Sequence, residues 1–192
     1  MGLSIPLWPT AFVIPLGLCF YYFVLAGSRT FEIEPYDDLG SGIAQFSFCA
    51  TGTLATILLG YRADVTVWNA VAGGALMAGA LALYEWARQT IMGRRFHIAW
   101  NGEVPDAVCA AGPYRHVRHP LYTSYMLAFA AQLAAVPSLW TALIFLFNLG
   151  LFTHAALHDE RSLAQSDLAE DYASYRRRTG MFWPRLGRRP AT

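Results

Sequence analysis

The sequence contains no lysine: all 14 of its basic residues are arginine. Charge of either sign is scarce, at 14% of 192 residues, against about 25% in an average soluble domain. With a formal net charge of only +1, a broadly basic nucleic-acid-binding surface is excluded. The three cysteines, Cys19, Cys49 and Cys109, lie far apart and none forms a CxxC, so neither a disulfide framework nor a thiolate zinc set is indicated. Five histidines are too few for the histidine-rich di-iron sites of membrane oxygenases. The N-terminus has no basic residue ahead of its apolar run and no evident cleavage site, and so reads as a retained span rather than a signal peptide.

What fills the sequence instead is apolar: 55% of residues are hydrophobic. A membrane span needs roughly 20 mainly apolar residues, and five stretches qualify, at 5–26, 39–60, 66–86, 119–136 and 138–158. Only Pro137 and Ser138 separate the last two, which predicts a tight helical hairpin whose fourth helix is short. The fold class expected is therefore all-α, a polytopic membrane bundle of about five transmembrane helices with a cytoplasmic C-terminal helix. It forms a single membrane domain over 1–192, with two N-terminal spans (1–65), a core (66–184) and a tail (185–192). An outside N-terminus places every arginine except Arg62 on the inner side, which fixes the C-terminus as cytoplasmic. Arginine without lysine, with abundant Ala and Gly, suggests a bacterial source and hence an inner membrane.

Within the third span Ala70, Gly74, Ala78 and Ala82 make a ridge of small residues along which helices can approach closely. Gln45, Asn69, Gln132 and Asn148 are polar residues in or near spans, placed for interhelical hydrogen bonds. Tyr84, Glu85, Trp86 and Arg88 end that span as an ion pair with aromatic anchoring.

The densest chemistry is at 112–122, Gly-Pro-Tyr-Arg-His-Val-Arg-His-Pro-Leu-Tyr. Gly112 permits a turn, Pro113 fixes the next φ, and Pro120 suits the first turn of a helix. Unpaired N–H groups at that helix start, beside Arg115, Arg118 and His119, would bind a carboxylate or phosphate. Alternatively, the arginines only anchor the loop to lipid phosphates. A second group, Asp159 and Glu160, follows the fifth span and calls for a compensating cation, from Arg118, Arg161 or a ligand. His154 and His158, four residues apart, share a helix face; packing or substrate contact is the reading preferred over a metal pair.

The loop at 112–122, followed by Asp-Glu-x-x-Leu at 159–163, by Tyr172 and Tyr175, and by Phe182-Trp183-Pro184, resembles the isoprenylcysteine carboxyl methyltransferase family of integral membrane enzymes. Phospholipid N-methyltransferases share much of the pattern, which runs from about residue 70 to 184 and includes Gly93 and Phe96. The resemblance implies methyl transfer from S-adenosylmethionine to a lipophilic small-molecule or lipid-modified acceptor, most simply a carboxylate, at the membrane lipid. No nucleic acid or metal takes part. In this sequence it implies cofactor contacts from Gly112, Tyr114, Arg118, His119, Tyr122 and Glu160.

The family usually carries a histidine near the adenine, six residues before the loop glycine, where this sequence has Asp106. The backbone at Val108 and Cys109 is left to serve there. Arg118, His119 and Glu160 are the expected catalytic residues: Arg118 places a carboxylate and Glu160 holds the cofactor ammonium. Arg115 and His158 are the expected acceptor contacts. Amine or thiol acceptors, an NADPH-dependent sterol-type reductase and a non-catalytic scaffold are the alternatives.

Overall fold

Thr66 starts helix α1, over Val67–Ile91. Its hydroxyl accepts from the Asn69 backbone N–H while the Asn69 side chain accepts from the Thr66 N–H, so two of the unpaired donors at the helix start are satisfied. A short 3₁₀ turn at Gly112–Arg115 leads into α2, Pro120–Ala135, then α3, Leu139–Ala164, and α4, Ala169–Arg178. The computed structural model describes residues 18, 19, 21–23, 26, 52, 65–92 and 107–185, and among these all regular structure is helical. A single parallel bridge, Val117 to Gly180, is the only pairing of extended backbone among them.

Ser138 caps α3 as Thr66 caps α1, exchanging hydrogen bonds with Thr141. The connection between α2 and α3 is three residues long, Val136, Pro137 and Ser138, and Thr141 Oγ1 donates to the Val136 carbonyl at 2.6 Å. Tyr122 meets Asp159, and Tyr125 meets Phe152, so the start of α2 lies against the end of α3 and the two helices run antiparallel.

Helix lengths differ from the sequence expectation. The expected span 66–86 extends to Ile91, and the span expected to end at 158 continues to Ala164. Neither Gly nor Pro interrupts 159–164, so nothing stops the helix there. With 16 residues, α2 is about 24 Å long at 1.5 Å per residue, short of the ~30 Å hydrocarbon core. Among the described residues two helices, Val67–Ile91 and Leu139–Ala164, are long and apolar enough to cross a membrane. The first two expected spans, Gln45 and the glycine and arginines at 93–95 lie outside the described residues, apart from a few helical positions between 18 and 26 and at 52.

The buried face of α1 is Gly73, Met77, Ala80, Tyr84, Ala87 and Ile91, alternating steps of four and three. That spacing keeps one seam facing a neighbouring helix. It corrects the small-residue ridge read from sequence: Ala78 and Ala82 are exposed, and Gly73 is the point of closest approach. A Cβ there would run into the Ala131 carbonyl and Ala135 of α2. Met77, Tyr84, Phe129, Val136 and Phe152 fill the core between the helices. Asn69 Nδ2 donates across to the Ala134 carbonyl at 3.2 Å, whereas Asn148 donates within its own helix to Ile144. Gln132 is buried, and its amide finds no hydrogen-bond partner among the described residues.

Candidate active site

The loop takes its shape from its glycine and prolines. Gly112 has φ +52°, a left-handed conformation that disfavours any side chain, and it lies against Thr90 of α1. Pro113 and Tyr114 are buried, and the 3₁₀ turn hands on to His119, whose φ of −123° and ψ of 62° fall outside the helical region, as the following Pro120 demands. Helix α2 then begins with proline at its first position.

The segment that follows α4 returns to clasp this loop. Arg118 N–H donates to the Gly180 carbonyl at 2.8 Å and His119 N–H to the Met181 carbonyl at 3.1 Å, while Gly180 N–H donates back to His116. Tyr175 Oη donates to the Tyr114 carbonyl at 2.6 Å. A Cβ on Gly180 would collide with the Trp183 carbonyl, so only glycine allows the turn through 180–183.

Glu160 sits at the centre of the clasp. Arg118 Nε donates to its Oε1 at 2.7 Å, and the two side chains are only 7% and 5% exposed. The same guanidinium donates through Nη1 to the Thr179 carbonyl at 2.6 Å. His119 Nε2 lies 3.4 Å from Glu160 Oε1, and Arg176 Nε lies 3.5 Å from Oε2. Burial pushes the His119 imidazole below its ordinary value, and hydrogen bonding to Glu160 only partly opposes that. The ring is therefore neutral at neutral pH.

Asp159, one residue earlier, has a different environment. It accepts from Tyr122 Oη at 3.1 Å and has no cationic partner among the described residues. The Tyr122 ring stacks on His119, with centroids 5.6 Å apart and planes at 12°, and on Phe152 at 5.9 Å and 23°. Phe182 of the returning tail closes on His119 at 6.0 Å.

The structure thus brings together Arg118, His119, Tyr122 and Glu160. Tyr114 and Cys109 are placed elsewhere: both are buried with Ala87 and Ile91 in a second packing cluster. Val108 is part-buried beside them, and Asp106 lies outside the described residues. Arg115 is exposed and makes no hydrogen bond or ion pair with the described residues. His154 is exposed and His158 part-buried on α3; among the described residues no three metal-ligating side chains gather. Arg176, Thr179, Gly180 and Phe182 are members of the site that sequence reasoning did not assign a role. The signal available for them was a glycine two residues after a run of three arginines, a common stop for a helix.

At the C-terminal end of α1, Glu85 pairs with Arg88 at 2.6 Å, as expected, and also accepts from Tyr22 Oη at 2.8 Å.

Comparison with known families gives one match: the isoprenylcysteine carboxyl methyltransferase (ICMT) family model fits residues 68–165, just over half of the sequence. That range holds α1, the loop, α2, α3 and both acids, and ends before the clasping tail. Neither the curated proteins nor the solved structures yield a match.

Proposed function

Because this protein belongs to the isoprenylcysteine carboxyl methyltransferase family, whose members are membrane-associated methyltransferases, we propose that it transfers a methyl group from S-adenosylmethionine to a lipophilic carboxylate at the membrane boundary. The observation that carries this reading is the loop of residues 112–122 held against the acids of α3 at one end of the bundle. Glu160 stands 21 residues after Leu139, about 32 Å along the helix axis, which is close to the thickness of the hydrocarbon core. A polar site at that height receives the head of an acceptor whose tail stays in lipid.

The charges present fit such a cofactor. The exposed guanidinium of Arg115 suits a carboxylate, and the acid pair on α3 supplies negative charge at the same end of the bundle. When bound, S-adenosylmethionine supplies a methyl group on a positively charged sulfur. Attack by a carboxylate needs no proton removed, so the protein contributes position and electrostatics. Arg118 and Glu160 hold the loop in register with α3, Phe182 and Tyr122 shield the His119 ring from water, and Arg115 orients a carboxylate. Where the acceptor is an amine or thiol, the neutral His119 is the group able to take its proton.

The test is calorimetric titration of the purified protein in detergent with S-adenosylhomocysteine and, separately, NADPH. Binding of the first alone is expected; binding of NADPH alone would replace this reading with a reductase. Labelled S-adenosylmethionine offered with prenylcysteines, fatty acids, phospholipid amines and thiols then identifies the acceptor, with a carboxylate ester as the expected product.

A further inference from the structure

Exposed tryptophans stand at two levels of the bundle. Trp68 and Trp140 lie at the starts of α1 and α3. Trp86, half exposed, comes 18 residues after Trp68, about 27 Å along the helix and close to the thickness of the hydrocarbon core. Its neighbour Ala87 packs in one cluster with Leu121, so this second level is that of the start of α2. Trp183 belongs to the same level, because the tail that carries it is pinned there. His119 N–H donates to the Met181 carbonyl at 3.1 Å, and Phe182 packs on the His119 ring. Yet Trp183 itself is 72% exposed, although it is the largest apolar side chain of residues 179–185. An indole at this height is suited to the region of lipid headgroups.

Positive charge gathers beside it. Residues 172–192 contain six arginines and no Asp or Glu. Arg176 turns to Glu160, whereas Arg177, Arg178 and Arg185 are exposed. Arg185 reaches back to the Arg177 carbonyl at 2.8 Å, which draws its guanidinium to the end of α4, and Arg178 donates to the Ser174 carbonyl of its own helix. Among the described residues none of these three meets a carboxylate. The dipole of α4 offers about half a negative charge at this end, too little to balance three guanidiniums.

We propose that Trp183, Arg177, Arg178 and Arg185 form a docking surface for anionic phospholipid, in which the indole enters the membrane interface and the guanidiniums take headgroup phosphates. The same segment supplies the Thr179 carbonyl, the Gly180 backbone and the Phe182 ring to the clasp. Lipid bound there therefore holds the clasp closed over the site. The surface is independent of which cofactor the site takes.

The test uses the full-length protein in nanodiscs of phosphatidylcholine, or of an equal mixture with phosphatidylglycerol. In the mixed discs the parent is expected to melt at a higher temperature and, on release for native mass spectrometry, to retain phosphatidylglycerol over phosphatidylcholine by about tenfold or more. The combined Arg177→Gln, Arg178→Gln and Arg185→Gln variant should melt like the parent in pure phosphatidylcholine and lose both effects. Arg161→Gln, exposed on α3 outside this surface, should keep them. The emission of Trp183, taken as the difference between the parent and Trp183→Phe, should be quenched more by lipid brominated near the headgroup than by lipid brominated at the chain end. A triple variant that keeps the parent's lipid preference, or a Trp183 emission without that preference for headgroup-level bromine, overturns the assignment. An equal rise in melting temperature with inorganic phosphate in detergent would make the arginines a free-phosphate site and overturn it too.

Discussion

The two ends of this helical bundle are built by different means. At the end that carries Thr66 and Ser138, each helix is capped by a residue three positions from its partner, and Trp68 and Trp140 project outward, 82% and 65% exposed. At the other end, the decisive contacts join residues 42 and 61 positions apart: Arg118 with Glu160, and Tyr114 with Tyr175. The first end is satisfied largely by these local caps, with Asn69 also reaching across to the Ala134 carbonyl, and it presents apolar and aromatic surface suited to a membrane interface. The second is satisfied only once α3, α4 and the tail have folded around the loop, and it is there that charge is buried. Long-range pairing makes an end whose geometry depends on the whole domain, as a positioned site requires.

The sharpest way to break this contrast is Arg118→Ala. It leaves Glu160 buried without its nearest cation and removes the bond to the Thr179 carbonyl. Loss of one partner of a buried pair costs about 3–5 kcal/mol, and unfolding by denaturant in detergent micelles is expected to show a loss of that size. A loss near zero would mean that the clasp contributes nothing to stability and that the two ends do not differ in kind. Ser138→Ala is the matching test at the opposite end, with an expected cost of about 1 kcal/mol. Methyl transfer and cofactor affinity should stay unchanged in that variant, since the cap lies at the other end of α3 from Glu160.

The same contrast governs what the sequence made legible. The start of α2 could be placed because Pro120 fixes it, and the short α2 to α3 connection because Pro137 and Ser138 punctuate it. The end of α3 was placed six residues early because the fall in hydropathy at His158 and Asp159 marks where apolar character stops, while backbone hydrogen bonding continues to Ala164. The buried face of α1 was misplaced because small residues occur on both faces, and only the position of α2 selects Gly73. Within the site, Arg118 and Glu160 were identifiable as complementary charges. That they satisfy one another, leaving Asp159 without a cation among the described residues, depends on side-chain directions across 42 residues of sequence, and the one-dimensional pattern carries no such information.

The smallest expected effect is the contribution of His119 to the pH dependence of stability. In the unfolded state His119 titrates near 6.5; in the folded protein burial lowers that value, with Glu160 partly opposing the shift. The unfolded state therefore binds the proton more readily. The stabilising contribution is fully present above about pH 6.5 and is lost as pH falls through the lowered folded value. Because the two influences oppose each other, the resulting fall in melting temperature between pH 7.5 and pH 5.5 should be smaller than that caused by Ser138→Ala. His119→Gln, which keeps a donor toward Glu160 but cannot titrate, should flatten this part of the profile. Capping hydrogen bonds between Ser138 and Thr141 involve no group that titrates in this range, so Ser138→Ala should lower the whole profile without changing its slope. A parallel profile in His119→Gln would place the titrating group elsewhere and remove the imidazole from the stability of the clasp.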